Sequence, residues 1–201
     1  MTACFLVGCG KEVQEESPDY VSLQDLNNRG VNGYYDRETK KLYTGEVRAY
    51  HSNETIEYKG FIKDGFREGE WIDYWDNENK QRQGYYKKGL KTGKVIHWHR
   101  LGKKKQETLY EDGVKKGKAT AWWTDGSKSK EYTYSNGYAE TVVQWYENGQ
   151  KRYEFNTKNG ERSKKYWAAD GEQLTQFLPF SMEWSWPIDA EIKRRHSNLG
   201  E

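Results

Sequence analysis

Residues 42–65 read LYTGEVRAYHSNETIEYKGFIKDG, and the same pattern returns in residues 66–89 as FREGEWIDYWDNENKQRQGYYKKG. Two further rows of the same length cover residues 90–113 and 114–137, and a fifth row, 138–160, is one residue shorter. Glycine recurs in two columns at steps of 24, namely Gly45, Gly69, Gly93 and Gly117 in one, and Gly65, Gly89, Gly113 and Gly137 in the other. A fixed period of this length is typical of a repeat architecture.

Each row also carries two apolar columns, and polar turn segments such as Tyr146-Glu147-Asn148-Gly149 lie between them. One column is Tyr50, Tyr74, Trp98, Trp122 and Tyr146; the other is Ile62, Tyr86, Tyr110 and Tyr134. Alternating apolar residues bounded by glycine turns predict one β-hairpin per row. A single hairpin buries too little surface to be stable, so the rows are expected to pair edge to edge. The predicted fold is all-β, with tandem β-hairpin repeats of about 24 residues forming an elongated, twisted antiparallel sheet.

The composition of the chain agrees with aromatic strands and restricts its partners. Only 34% of the residues are hydrophobic, mean hydropathy is -1.20 and 32% are charged, yet 15% are aromatic. Aromatic content at this level disfavours disorder. The formal net charge of +2 lacks the one-sided basic excess of a nucleic-acid binder, so no nucleic acid is expected as a partner.

Composition and register divide the chain into three parts. Residues 1–19 are interpreted as a signal remnant and flexible tether, residues 20–180 as the repeat array, and residues 181–201 as a tail that forms a short helix or stays solvated. Within the array, residues 33–41 are expected to supply an opening strand. Residues 161–178 are expected to form a degenerate last unit, in which Lys164 takes the place of the column glycine.

The rows resemble a known repeat family. Segments such as YENGQKRYEFNTKNG and DGFREGEWIDYW are similar to the MORN-variant repeats of bacteria, and the resemblance covers residues 33–175. This resemblance implies a repeat scaffold, and some members of the family are labelled antitoxins. MORN repeats in general are associated with protein assembly and with phospholipid head groups. The loss of the column glycine at Thr141 and Lys164, and the turn Asn77-Glu78-Asn79 without glycine, depart from the pattern.

The amino terminus contains Leu6-Val7-Gly8-Cys9, which resembles the lipobox of bacterial lipoproteins. The resemblance implies that Cys9 is lipidated and that the protein is anchored in the cell envelope. The apolar run before it is short and lacks a basic start, so an unprocessed flexible leader is the alternative reading. The two cysteines, Cys4 and Cys9, both lie in this segment, so no disulfide framework or cysteine metal site is expected in the array.

Candidate catalytic and metal-binding residues are dispersed. His51 and His99 occupy one column two rows apart, which places them about 19 Å from each other in a sheet. His97 and His99 alone supply too few ligands for zinc, so neither a metal nor another cofactor is expected. The column Glu46, Glu70, Lys94 and Lys118 changes sign, which is typical of a solvated, charge-patterned face. We also find no nucleophile elbow and no phosphate-binding loop, so the sequence does not predict an enzyme.

A basic cluster is the best candidate for a ligand patch. Its members are Lys103, Lys104, Lys105, Lys115, Lys116 and Lys118, with Lys128 and Lys130 beside them in the next strand. These lysines could bind anionic lipid head groups or an acidic protein. The alternative is that they keep an exposed sheet soluble and its edges unpaired.

Three functional hypotheses follow from the sequence. The first is a non-enzymatic scaffold, lipid-anchored in the cell envelope, that binds a protein partner or membrane lipid through one sheet face. The second is a soluble cytoplasmic antitoxin-like protein that neutralises a toxin by direct binding. The third and most remote is a hydrolase whose active site is built from repeat turns.

Overall fold

A computed structural model of the chain describes residues 20–158 and 161–174. Its main element is one open sheet of 13 strands in the order β1-β4-β5-β6-β7-β8-β9-β10-β11-β12-β13-β14-β15, and β2 and β3 form a separate two-stranded sheet. The all-β prediction with tandem antiparallel hairpins is confirmed. The strands are β1 (Tyr20–Val21), β2 (Leu26–Asn28), β3 (Tyr34–Asp36), β4 (Gly45–Tyr50), β5 (Ile56–Lys63), β6 (Phe66–Tyr74), β7 (Lys80–Lys87), β8 (Leu90–Trp98), β9 (Lys104–Glu111), β10 (Val114–Trp122), β11 (Lys128–Ser135), β12 (Tyr138–Trp145), β13 (Lys151–Lys158), β14 (Glu161–Trp167) and β15 (Gln173–Leu174).

Two kinds of turn connect the strands, one at each end of the sheet. The two-residue turns are Asp64-Gly65, Lys88-Gly89, Asp112-Gly113 and Asn136-Gly137, and both residues of each have positive φ. This is the type I′ geometry, whose twist matches that of the paired strands. At the other end, four-residue loops close as in Trp123, whose N–H donates to Ser127 O at 2.8 Å. Each of these loops has one residue of positive φ, such as Gly126, or Glu78 in the loop without glycine.

Glycines of the first column create a bulge in each row. Gly69, Gly93 and Gly117 have φ between +63° and +69°, although they lie inside strands. The neighbouring ladders shift register beside them, as between Lys115 and Ala119. A bulge bends the strand and increases its twist. The bend lets the next turn reach back, since Gly113 N donates to Lys91 O at 2.8 Å.

One face of the sheet, called here the inner face, carries the core. At the centre of each hairpin, one residue of the first strand is directly paired with one residue of the second. From the first row to the fifth, these pairs are Val47 with Gly60, Trp71 with Gly84, Val95 with Thr108, Ala119 with Tyr132, and Val142 with Phe155. All the side chains of this set are buried. The bulky Trp71 lies between Gly84, its direct partner, and Gly60 of the preceding row, whereas Ala119 and Val142 have the larger partners Tyr132 and Phe155. The rows therefore fill one layer with compensating volumes, as close packing demands.

Trp71 is the centre of the larger core cluster. It is 3% exposed and lies over Gly60, and its Nε1 donates to Phe61 O at 3.2 Å. The rings of Tyr58 and Tyr86 lie 6.5 and 6.2 Å from its ring. The segment before β4 closes this end of the core through Leu26, which is 4% exposed.

The ladder pairing corrects the sequence register of the fifth row. The strand-end column of Tyr50, Tyr74, Trp98 and Trp122 continues at Trp145, where the same ladder irregularity occurs, and not at Tyr146. Tyr146 instead begins the four-residue loop, as Trp123 does. The reason is that the residue missing from this row lies before Val142. The position equivalent to Gly117 is therefore Glu140 and not Thr141.

The last long strand is corrected in the same way. Lys164 pairs with Phe155, as Val142 does from the other side, so it occupies the core column and not the glycine column. Its side chain is exposed. The final row lacks an apolar residue at the position that is buried in each of the five preceding rows, which explains its degeneracy.

The opening of the array also differs from the prediction. Tyr34 and Tyr35 form a strand, but β3 pairs with β2 in the small sheet. The first strand of the main sheet is β1, which pairs in parallel with β4 through Tyr20 and Val21. Cys9, the tether of residues 1–19 and the tail of residues 181–201 lie outside the described residues.

Candidate binding face

The lysines at the centre of the outer face are paired with glutamates of the same face. Glu107 accepts from Lys94 at 2.8 Å and from Lys104 at 2.9 Å, and Glu131 pairs with Lys118 and Lys128, each at 3.0 Å. The hydrogen bond from Lys94 is the main cause that lowers the pKa of the Glu107 carboxyl below its usual value. Each of these pairs is exposed to solvent and contributes little to stability. Their effect is that each glutamate bridges two lysines of this face, so these lysines have a counter-ion within the protein although the face keeps a positive excess.

The column Glu46, Glu70, Lys94 and Lys118, read from the sequence as charge-patterned, lies on this outer face. Glu46 pairs with Arg48 at 2.7 Å. Glu70 accepts hydrogen bonds from Gln83 at 2.5 Å and from Tyr85 Oη at 2.9 Å. The bond to Glu70 raises the pKa of the Tyr85 phenol. Each member of the column is therefore engaged by a neighbour on its own face.

The inner face carries a column of half-buried cations, Arg67, Lys91 and Lys115, at steps of one row. The Arg67 guanidinium lies 4.3 Å from the Trp71 ring centroid. The Lys91 and Lys115 ammonium groups each lie 5.1 Å from a ring centroid, those of Tyr110 and Tyr134. Cations over aromatic faces are attracted by the ring quadrupole. The rings thus hold three positive charges in a row across the strands.

No carboxylate of residues 20–158 or 161–174 forms an ion pair with these three cations. Burial lowers the pKa of Lys91, and the charges of Arg82, Lys115 and Arg67 lower it further. The causes of this shift include no acidic group, so the column repels itself electrostatically. Two carboxylates adjoin the inner face near Arg67: Asp73 is held by Arg82 at 2.5 Å, and Glu57 lines the smaller depression beside Arg67 without forming an ion pair with it.

Two shallow depressions open on the inner face beside this ion pair. They have volumes of about 290 and 250 Å³ and share Asp73, Gln81 and Arg82 as lining residues. The larger one is also lined by Trp75, His97, Trp98 and Lys105. Burial lowers the pKa of His97, followed by the charges of Arg82, Lys91 and Lys105, so its imidazole favours the neutral form. The depressions provide a contoured, aromatic and cationic surface.

The structure separates the six lysines that the sequence suggested as one patch. Lys104 lies opposite Trp98, at the end of the sheet with the four-residue loops, whereas Lys115 lies opposite Tyr110, near the two-residue turns. Lys103 Nζ donates to Asp125 O at 3.0 Å, and Lys116 pairs with Glu111. Antiparallel pairing puts the start of β9 beside the end of β10, which is why residues close in sequence lie at opposite ends. Lys105 and Lys115 adjoin the inner face, whereas Lys118 lies on the outer face.

Histidines of the loop column have structural roles. His51 Nε2 is hydrogen-bonded to Tyr74 O and His99 Nε2 to Trp122 O, both at 3.1 Å. Tyr146 Oη donates to Trp167 O at 3.0 Å in the equivalent place. These side chains tie each loop to the next row. Within the described ranges, no three His, Cys, Asp or Glu side chains are grouped so that they could hold a metal ion.

No protein-family model matches the sequence, and no curated protein matches it. The part of the chain that the structure describes contains no helix with the length and apolarity needed to cross a membrane.

Sequence reasoning missed the inner-face cations Arg67, Arg82 and Lys91, whereas Lys115 and Lys130 belonged to the predicted basic cluster. Three members of the cationic column were nonetheless recoverable, because Arg67, Lys91 and Lys115 follow the 24-residue step. Their separation from the outer-face lysines required the ladder register.

Proposed function

We propose that the chain is a non-enzymatic repeat scaffold that binds a protein partner through the inner face of its sheet. One observation carries the proposal: Arg67, Lys91 and Lys115 of this face form no ion pair with a carboxylate of the described residues, whereas outer-face lysines such as Lys94 and Lys118 pair with glutamates. Half-buried charge without a counter-ion is unfavourable, and a partner that supplies the counter-charge relieves it. The resemblance to MORN-variant repeats supports a scaffolding role.

A protein partner is favoured over membrane lipid by the form of this surface. Arginine and aromatic residues such as Trp75, Trp98 and Arg82 are enriched where proteins bind one another. A bilayer attracts clusters of fully exposed lysines. The lysine cluster that would serve this purpose is divided between the two ends and the two faces of the sheet.

Site-specific photocross-linking tests the proposal. A photoreactive amino acid replaces Gln106, which lies on the inner face, or Thr133, which is exposed on the outer face. We expect the Gln106 position to cross-link one protein in living cells and the Thr133 position to cross-link little. The same product should be lost when Lys91→Glu is added. Products that arise equally from both positions, or that persist with Lys91→Glu, would contradict the proposal.

We further propose that the scaffold is anchored in the cell envelope by lipid on Cys9. Residues 10–19 separate this cysteine from β1, so the array would extend from the membrane on a spacer. Labelled palmitate should be incorporated by the unmodified chain and not by Cys9→Ser. If the unmodified chain and Cys9→Ser are found in the membrane fraction in equal amounts, the lipid anchor is contradicted, whereas the proposal for the inner face is unaffected.

A further inference from the structure

We infer that the partner presents to the inner face an acidic segment in the polyproline II conformation, with a carboxylate at every third residue, running across the strands along Arg67, Lys91 and Lys115. This inference rests on the proposed function and specifies the partner that the same face binds. It commits to a protein segment and not to a lipid.

The spacing of the cations carries the argument. Successive members of the column are one row apart, which is two strands, or about 9.6 Å at the usual separation of paired strands. A polyproline II helix has three residues per turn and rises about 3.1 Å per residue, so every third side chain returns to the same side after about 9.3 Å. An extended β-strand covers a similar distance in three residues but turns the third side chain to its opposite face. Of these two extended conformations, the polyproline II helix is the one that aims carboxylates three residues apart at all three cations.

The cations are already positioned for such a ligand. Arg67 is fixed between Trp71 and Tyr86, at 4.3 and 5.5 Å from the two ring centroids. Lys91 and Lys115 are held over their own rings at 5.1 Å. Side chains that are ordered before binding lose less conformational entropy when the ligand arrives. A polyproline II segment is likewise ordered beforehand, so both partners are preorganised.

Competing anions near the column are few. Asp73 is engaged by Arg82, and Glu57 lines the same depression as Arg67 but forms no ion pair with it, so the column retains its positive charge for an external acid. A second inner-face column, at steps of one row, consists of Arg82, Gln106 and Lys130. It extends the positive potential of the face alongside the first column and lengthens the surface that an acidic segment can follow.

Fluorescence anisotropy on the full chain tests the inference with a labelled peptide of four Glu-Pro-Pro units. We expect saturable binding that becomes about tenfold weaker in the triple variant Arg67→Gln, Lys91→Gln, Lys115→Gln, because three charge pairs together supply about that factor. The matched control, Lys94→Gln, Lys118→Gln, Lys128→Gln, removes the same charge from the outer face and should change the affinity less than about twofold. Circular dichroism verifies that each variant keeps the sheet, and the single variant Lys115→Gln serves if the triple variant unfolds.

A second measurement on the unmodified chain varies only the spacing of the charges. A peptide of four Glu-Pro-Pro-Pro units has the same number of carboxylates out of register with the rows, and it should bind several times more weakly. Equal affinity for the two peptides, equal effects of the two triple variants, or binding to phosphatidylglycerol vesicles in place of both peptides would overturn the inference. If the peptides fail while inner-face cross-links at Gln106 persist, the proposed function stands and only the partner's chemistry is refuted.

Discussion

The packing of Trp71 on Gly60 provides a quantitative test of the compensating volumes in the core. A Cβ atom added at Gly60 would lie 2.3 Å from Trp71 Cδ2 and 2.4 Å from Cε2. The ring cannot swing away freely, since it is 3% exposed and hydrogen-bonded to Phe61 O. Gly60→Ala must therefore displace the tryptophan or distort the strand.

The expected cost follows from two opposing effects. Overpacking a core typically costs about 1–3 kcal/mol, while alanine in place of glycine within a strand recovers about 0.5–1 kcal/mol. We expect Gly60→Ala to lower the free energy of unfolding by about 1–2 kcal/mol, equivalent to roughly 2–8 °C in Tm for a chain of this length. Gly84→Ala is the matched control, because its nearest contact is a Val95 methyl at 3.1 Å, which needs to move only slightly. The control should stay within about 0.5 kcal/mol of the unmodified protein.

Urea denaturation followed by far-UV circular dichroism measures both variants, and a double-mutant cycle adds Trp71→Val. Valine occupies the equivalent place one row later, at Val95, so it should accommodate the new methyl group. The double variant should be more stable than the sum of the single effects by about 1 kcal/mol. Strict additivity, or a Gly60→Ala protein as stable as Gly84→Ala, would refute the volume argument.

Three further predictions concern the loops, the pH dependence and the aromatic column. Glu78 has φ of +63° at a loop position where the four following loops have glycine, so Glu78→Gly should raise the free energy of unfolding by about 1 kcal/mol. Gly102→Ala at the equivalent position should lower it, as measured by thermal melting, and a destabilised Glu78→Gly would contradict this reading. The pKa of His97 is lowered in the folded chain, so just below the ordinary histidine pKa of 6.5 the unfolded state binds more protons than the folded state. The free energy of unfolding should therefore fall as the pH decreases. Urea titrations between pH 7 and 5 should show this fall, and His97→Gln should make the free energy of unfolding less dependent on pH. An unchanged pH dependence would exclude the histidine as its source. Trp98→Ala should destabilise the sheet more than Lys94→Ala, because Lys94→Ala removes only an exposed ion pair of about 1 kcal/mol or less. Equal Tm values for the two variants would contradict the role of the aromatic column.

Much of the fold was predictable, because turn chemistry and strand alternation repeat together. The dipeptides Asp64-Gly65 and Asn136-Gly137 specify type I′ turns by their tolerance of positive φ, and these fix the strand ends on either side. The period alone did not determine where a shortened row loses its residue. Tyr146 and Trp145 are both aromatic, and only the ladder irregularity after Gln144 shows which of them ends the strand.

The candidate site was less predictable, since it depends on which face each cation occupies. Lys115 and Lys118 are three residues apart in one strand, yet the bulge and the alternation of side chains place them on opposite faces. Proximity in sequence therefore suggested a patch that the register divides. The pairing of Lys94 and Lys118 with a glutamate on the neighbouring strand is a tertiary property that a charge count does not reveal.

Lys164 has a consequence for how long the array can grow. Any additional row would have to lay its own core residue against this exposed charge, in a layer that is apolar in the preceding rows. Inward-directed charge at the end of a sheet discourages further strands, including those of a second molecule. We therefore expect Lys164 to oppose the pairing of a second molecule along β14, and Lys164→Val should increase concentration-dependent self-association of the chain.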